Sequence, residues 1–266
     1  MTTAAPAVTP ALELRGVSKA FGAVRAARDI SFTVDRGEVV GLLGDNGAGK
    51  STIVNCISGG LHFDEGAILV DGELVKIEQP QDARDLGIET VHQDLALVDV
   101  LDVTSNMFLG REKPTRFPLL RALGWLDRRG MERDTRENLN RLHIEIPSVR
   151  TPVTHLSGGQ RQAVSVGRAV LWGHHIVLLD EPAAALGVEQ TELVLSLIKR
   201  LRHEGVAVLL ISHNMHDVLE VCDRVVVMRH GAMIGEIRDL SETTPRDLVD
   251  LITGVTLGEV DTARHN

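Results

Sequence analysis

The sequence predicts an α/β fold: a mainly parallel sheet with helices on both faces, an antiparallel β part near the N-terminus and a helical insertion. Three observations carry this. Apolar, strand-length runs alternate with helix-length stretches, the pattern of a parallel sheet. A glycine-rich loop follows one such run and opens a helix. From about residue 94 to residue 154 the β-branched runs stop and the chain becomes charged and rich in Leu and Arg.

The elements follow in order. Residues 1–10 are small, polar and proline-containing and read as a disordered tail; no basic stretch followed by an apolar one makes them a secretory leader. Residues 12–17 and 30–34 read as strands, and residues 38–43 as a buried strand. A helix over 50–58 is stopped by Gly59 and Gly60. Residues 67–70 and 74–77 flank Asp71-Gly72, a hairpin signal. A short helix over 80–86 ends at Gly87, and 88–91 is a strand. Within the insertion, 132–142 is helical, and Pro114, Pro118, Pro147 and Pro152 divide the rest, with no clear assignment for 114–129. A helix then runs from Gly159 to about Trp172, followed by strand 176–179, helix 189–203, strand 206–211, helix 215–222, strands 224–229 and 232–237 about His230-Gly231, and a last helix over 245–252. The expected organisation is one domain over 11–253, with its helical part at about 94–158, and a polar tail over 254–266.

Bulk properties remove several functions. The 266 residues, 43% hydrophobic, bury a sizeable core. A net charge of −9 argues against a dedicated nucleic-acid surface. Cys56 and Cys222 have no metal-ligand spacing and read as free thiols. The longest apolar runs fall far short of the ~18 residues a membrane span needs.

Four segments carry chemistry. Gly44, Asp45, Asn46, Gly47, Ala48, Gly49, Lys50 and Ser51 fit G-x-x-x-x-G-K-[ST]. The glycines let backbone N–H groups wrap an anion, and the following helix adds its positive end. Lys50 places a charge on the β- and γ-phosphates, Ser51 offers a hydroxyl to Mg²⁺, and Thr52 supports the β-phosphate side. The run 176–179 ends in Asp180 and Glu181. Asp180 suits Mg²⁺, held through water, and Glu181 suits a general base for the attacking water. His213 closes the strand 206–211, at the sheet edge where ligands bind, in place to contact the γ-phosphate. Gln93, just beyond strand 88–91, suits a ligand of Mg²⁺ or of the water. Phe21 is either a core aromatic or a stacking surface for adenine; aromatics are only 3% of the chain. Ser157, Gly158, Gly159 and Gln160 have no evident packing role and form a second anion-binding helix start. Two such starts with one phosphate loop raise the possibility that each serves a different copy of the molecule.

Together these residues resemble the ATP-binding subunit of ABC transporters, over nearly the whole of 12–253. Residues 44–51 look like Walker A, Gln93 the Q-loop, 156–160 the signature motif, 176–181 Walker B, His213 the switch histidine and Phe21 the adenine-stacking aromatic. The resemblance implies an ABC ATPase with a P-loop core, using ATP and Mg²⁺. It implies a head-to-tail dimer in which Ser157 and Gly159 of one copy complete the site on 44–51 of the other. It also implies membrane permease subunits as partners, a solute-binding protein as an indirect one, and a place on the cytoplasmic face of the membrane. After Walker B the family pattern Ser-Ala-Leu-Asp is replaced by Ala184-Ala185-Leu186-Gly187, so Gly187 stands where the aspartate would be. That stretch, with Leu95-Ala96-Leu97-Val98 and residues 106–112, is similar to the ribose, xylose and fructose importers. Many of those are two fused halves; one half here implies a homodimer with two equivalent sites.

Rival readings fit less well. DNA-repair ABC ATPases need a long coiled coil between Walker A and the signature, and the roughly one hundred residues here lack heptads. Translation-factor types carry two ATPase halves. Exporters usually fuse a membrane segment. A regulatory module without turnover would not need Asp180, Glu181 and His213 together.

Overall fold

The computed structural model describes residues 9–92, 96–172, 175–184 and 186–254. Gln93 and the tails over 1–8 and 255–266 therefore lie outside the described residues. Strands β1 (Leu12–Phe21) and β2 (Val24–Val34) form an antiparallel hairpin, both longer than the sequence suggests. Of their extra residues only Ala27 is buried, so the alternation that reveals a half-buried strand fades there. Strand β3 (Val39–Leu43) is buried throughout and leads into α1 (Lys50–Ile57). Strands β4 (Glu65–Val70) and β5 (Glu73–Val75) turn at Asp71 and Gly72, both at positive φ, as a tight hairpin demands. Next come α2 (Pro80–Asp85) and β6 (Ile88–Val91).

The insertion holds α3 (Val103–Met107), α4 (Pro118–Ala122), α5 (Arg128–Arg141) and a 3-10 turn (Val153–His155). Asp102 and Asp127 cap α3 and α5, accepting from Ser105 and Gly130 N–H. The remaining elements are α6 (Gly158–Trp172), β7 (Ile176–Asp180), α7 (Val188–His203), β8 (Ala207–Ile211), α8 (Met215–Val221), β9 (Arg224–Arg229), β10 (Ala232–Ile237) and α9 (Pro245–Thr253).

The strands lie in one sheet in the order β5-β4-β1-β2-β10-β9-β3-β8-β7-β6. Strands β9, β3, β8, β7 and β6 run parallel, and the apolar runs of β9, β3, β8 and β7 are buried on both faces, as doubly covered strands must be. The antiparallel part over β5, β4, β1 and β2 joins this half through a parallel bridge, Ala232 with Arg28. One apolar cluster fills the space between the sheet and the insertion helices, from Val103 and Leu139 to Val164 and Leu197. A second lies between the antiparallel strands and α1, and a third sits under α8 and α9.

Arg224 locks the two halves. Its Nε donates to Glu38 Oε1 at 2.6 Å and its Nη1 to Glu236 Oε1 at 2.6 Å, while Nη2 donates to Thr33 O on β2. Burial works against its charge, but the carboxylates outweigh that and raise its pKa.

Candidate active site

Strand β3 delivers residues 44–51 to the carboxyl edge of the parallel strands, where the chain turns into α1. Gly44 and Gly49 are required by close approach. A Cβ on Gly44 would lie 2.3 Å from Met228 O, and one on Gly49 2.3 Å from Ala26 O. Gly47 is different: it has φ +80 but nothing within 4 Å of its missing Cβ. Lys50, only 7% exposed, donates from Nζ to Gly44 O at 2.6 Å and Asp45 O at 3.0 Å. Burial lowers its pKa, and the charges of Glu181, Asp180 and Asp45 hold it up. A poorly hydrated cation hydrogen-bonded only to carbonyls gains by meeting phosphate oxygens.

Residues 46–52 line a cleft of about 480 Å³ together with Asp180, Glu181 and His213. Asp180 ends β7, and its pKa is raised by burial and by the Glu181 charge, against which His92, Lys50 and His213 act. Glu181 sits at φ +52, a left-handed conformation costing about 1–2 kcal/mol for a residue with a Cβ. Its N–H donates to Ile211 O at 2.9 Å, fixing it to the end of β8. From there Oε1 lies 2.6 Å from His213 Nε2. Strained backbone of this kind concentrates where a side chain must be aimed.

Ser51 and Asp180 face the same cleft and offer hydroxyl and carboxylate oxygens, the donors a hard cation takes. Among the described residues no group of three or more His, Cys, Asp or Glu could hold a metal.

The remaining predicted residues are placed elsewhere. Ser157, Gly158, Gly159 and Gln160 are absent from the lining of that cleft. Ser157 and Gln160 cap α6 reciprocally: Gln160 N–H donates to Ser157 Oγ at 3.2 Å, and Ser157 N–H to Gln160 Oε1 at 3.1 Å. The expectation that this run has no packing role is corrected for Gly159. It is buried against α7, and a Cβ there would lie 2.9 Å from Gln190 Cβ. Phe21 ends β1, half exposed, paired with Val24; Lys19 Nζ stands 5.6 Å from its ring, and the cleft lining includes Val24 but not Phe21.

Residues 24–26 and His230 also line the cleft and were not foreseen. No motif marks them. They arrive through tertiary contacts, Phe21 pairing with Val24 and Gly231 N–H donating to Ala48 O at 3.1 Å.

Comparison with known proteins follows the same lines. The ABC transporter family model matches residues 27–184. The chain is 42% identical to the xylose/arabinose import ATP-binding protein of Sulfolobus acidocaldarius, over 94% of this chain and 96% of that one. It is 42% identical to the fructose import ATP-binding protein of Rhizobium meliloti, over 92% and 94%. The ribose import ATP-binding protein of Caldanaerobacter subterraneus is 38% identical over 94% of this chain, which spans 49% of that protein. Among solved structures, the ADP conformation of an ATP-binding cassette of an ABC transporter superposes with a TM-score of 0.76 at 26% identity, covering 92% and 95%. With a family match across more than half its length and relatives aligned along nearly all of it, the chain belongs to the ABC transporter family, as an ATP-binding cassette.

Proposed function

We propose that this chain is the ATP-hydrolysing subunit of an importer, driving monosaccharide uptake through a separate membrane permease on the cytoplasmic face of the membrane. The observation that carries the hydrolytic part is the meeting of Lys50, Asp180, Glu181 and His213 in one cleft beside the phosphate loop. The sugar is supported by relatives named for import of xylose/arabinose, fructose and ribose.

The chemistry follows from placement. ATP lays its phosphates along residues 44–51, with backbone N–H groups and Lys50 neutralising them. Ser51 and Asp180 would hold Mg²⁺, which supplies further neutralisation of charge on the β- and γ-phosphates. Glu181 takes the proton of the attacking water as that water adds in line to the γ-phosphorus, while the bond from that phosphorus to the β–γ bridging oxygen breaks and ADP leaves with the electron pair. His213, whose Nε2 lies 2.6 Å from Glu181 Oε1, orients the carboxylate and faces the transferred group. Gln93 adds a ligand for water or cation and senses the γ-phosphate, and Phe21 stacks on adenine. The second helix start, Ser157 with Gly158, Gly159 and Gln160, serves the cleft of a second copy in a head-to-tail homodimer. ATP favours the closed dimer and so biases the permease, which receives solute from a separate binding protein.

The decisive experiment replaces Glu181 by Gln in the purified chain. ATP binding is retained and phosphate release falls at least about a hundredfold, as for loss of a positioned base. Near-normal turnover removes Glu181 from that role. Uptake of labelled xylose, fructose and ribose by vesicles holding the chain and its permease then identifies the solute class; equal uptake with and without ATP refutes the import reading.

A further inference from the structure

Between α3 and α5 the chain makes an excursion over residues 113–127 that is ordered by its own backbone. Thr115 N–H donates to Trp125 O at 2.9 Å, Trp125 N–H to Leu120 O at 3.0 Å, and Asp127 N–H to Lys113 O at 2.7 Å. Pro114 and Leu126 form an antiparallel bridge, and Gly124 at φ +76 closes the turn after α4. No side chain of α4 is buried. Phe117 is 67% exposed, Leu119 78%, Leu123 68% and Trp125 60%. Large apolar side chains gathered on a fixed backbone and held in water mark a contact surface, not a core.

The charge around them is opposite to that of the molecule. Residues 113–129 hold Lys113, Arg116, Arg121, Arg128 and Arg129 against the single carboxylate of Asp127, in a chain whose net charge is −9. Lys113 pairs with Asp134, and Arg128 with Asp102 at 2.6 Å. Arg116, Arg121 and Arg129 are exposed and form no ion pair among the described residues. Leu, Phe and Trp rimmed by arginines is the composition of an element lying in the interface of an anionic bilayer. The apolar bodies enter the headgroup boundary and the guanidinium groups meet phosphates.

We infer that the hairpin over 113–129 binds the surface of an anionic phospholipid membrane directly, as an attachment separate from the permease. Charge complementarity selects this occupant: the remainder of the chain is net acidic and repelled by the same headgroups, so this basic edge turns toward the bilayer. The inference goes beyond the ATPase reading and is independent of hydrolysis.

Flotation of the purified full chain with vesicles tests it. The chain floats with phosphatidylcholine vesicles containing phosphatidylglycerol and not with phosphatidylcholine alone. The combined Arg116→Gln, Arg121→Gln and Arg129→Gln variant binds about a hundredfold more weakly, at about fivefold per cation near the surface. Phe117→Ser, Leu119→Ser and Leu123→Ser together abolish flotation. Brominated acyl chains quench the part of the fluorescence that Trp125→Phe removes. ATP hydrolysis in solution stays unchanged in all these variants, which separates this result from any failure of the catalytic reading. Three results overturn the inference: no flotation of the parent with anionic vesicles, variants that float like the parent, or a hairpin shielded only by detergent-solubilised permease.

Discussion

The backbone of Gly159 runs so close to α7 that a Cβ there would stand 2.9 Å from Gln190 Cβ and 3.2 Å from its Cα. One residue earlier, the nearest atom to a Cβ on Gly158 is the flexible end of Leu186, at 3.3 Å. The two adjacent glycines therefore answer different questions. Gly159→Ala forces α6 and α7 apart and costs about 1–3 kcal/mol, readable as a fall in Tm. Gly158→Ala shifts stability by less than about 1 kcal/mol, yet lowers ATP hydrolysis if that helix start serves a second copy. Full activity in Gly158→Ala and in Ser157→Phe would remove the two-copy site.

Asp180 destabilises the nucleotide-free fold in its charged form. Burial, then the charge of Glu181, raise its pKa above the unfolded value. The penalty is absent below the unfolded pKa and complete above the folded one, so it is present at neutral pH. Asp180→Asn therefore raises Tm at pH 7 while hydrolysis is lost. The gain closes as pH falls through the acidic carboxylate range. A gain that stays constant from pH 8 to pH 4 would trace the effect to packing.

The phosphate-loop glycines separate in the same way. Gly49→Ala drives a methyl into Ala26 O at φ +103, and the clash with backbone costs more than about 2 kcal/mol. Gly47→Ala meets nothing within 4 Å and pays only for its φ of +80, about 1 kcal/mol. Chemical denaturation of the two variants gives the comparison.

Arg224→Met leaves Glu38 facing a partly buried site without its cation, and Glu236 with only the exposed Arg238 at 3.2 Å. Breaking such a pair from one side costs about 3–5 kcal/mol. The triple change to Met, Gln and Gln at 224, 38 and 236 recovers most of that loss; no recovery would assign the effect to the guanidinium's bond with Thr33 O instead.

Much of this was legible in the chain. Strands β3, β7 and β8 are short apolar runs ended by Gly44, Asp180-Glu181 and His213, so burial and chemistry are written side by side. The hairpin over β4 and β5 was announced by Asp71-Gly72, because few other pairs accept two positive φ values. What was hidden depends on distant neighbours. Nothing local in 24–26 or His230 foretells the cleft, since its edge is set by register between β1 and β2 and by Gly231 against Ala48. Gly159 looked free of packing duties because its close neighbour, Gln190, lies on a different helix. Residues 114–129 gave no assignment because their apolar side chains follow neither period, being directed outward.

The bridge between Ala232 and Arg28 is the thin line along which the ten-stranded sheet is stitched, and the cleft lies across it. One bank is formed by residues 24–26 on β2, the other by residues 46–52 after β3. A ligand that filled the cleft would touch both banks at once and splint the single registered pair that joins β2 to β10.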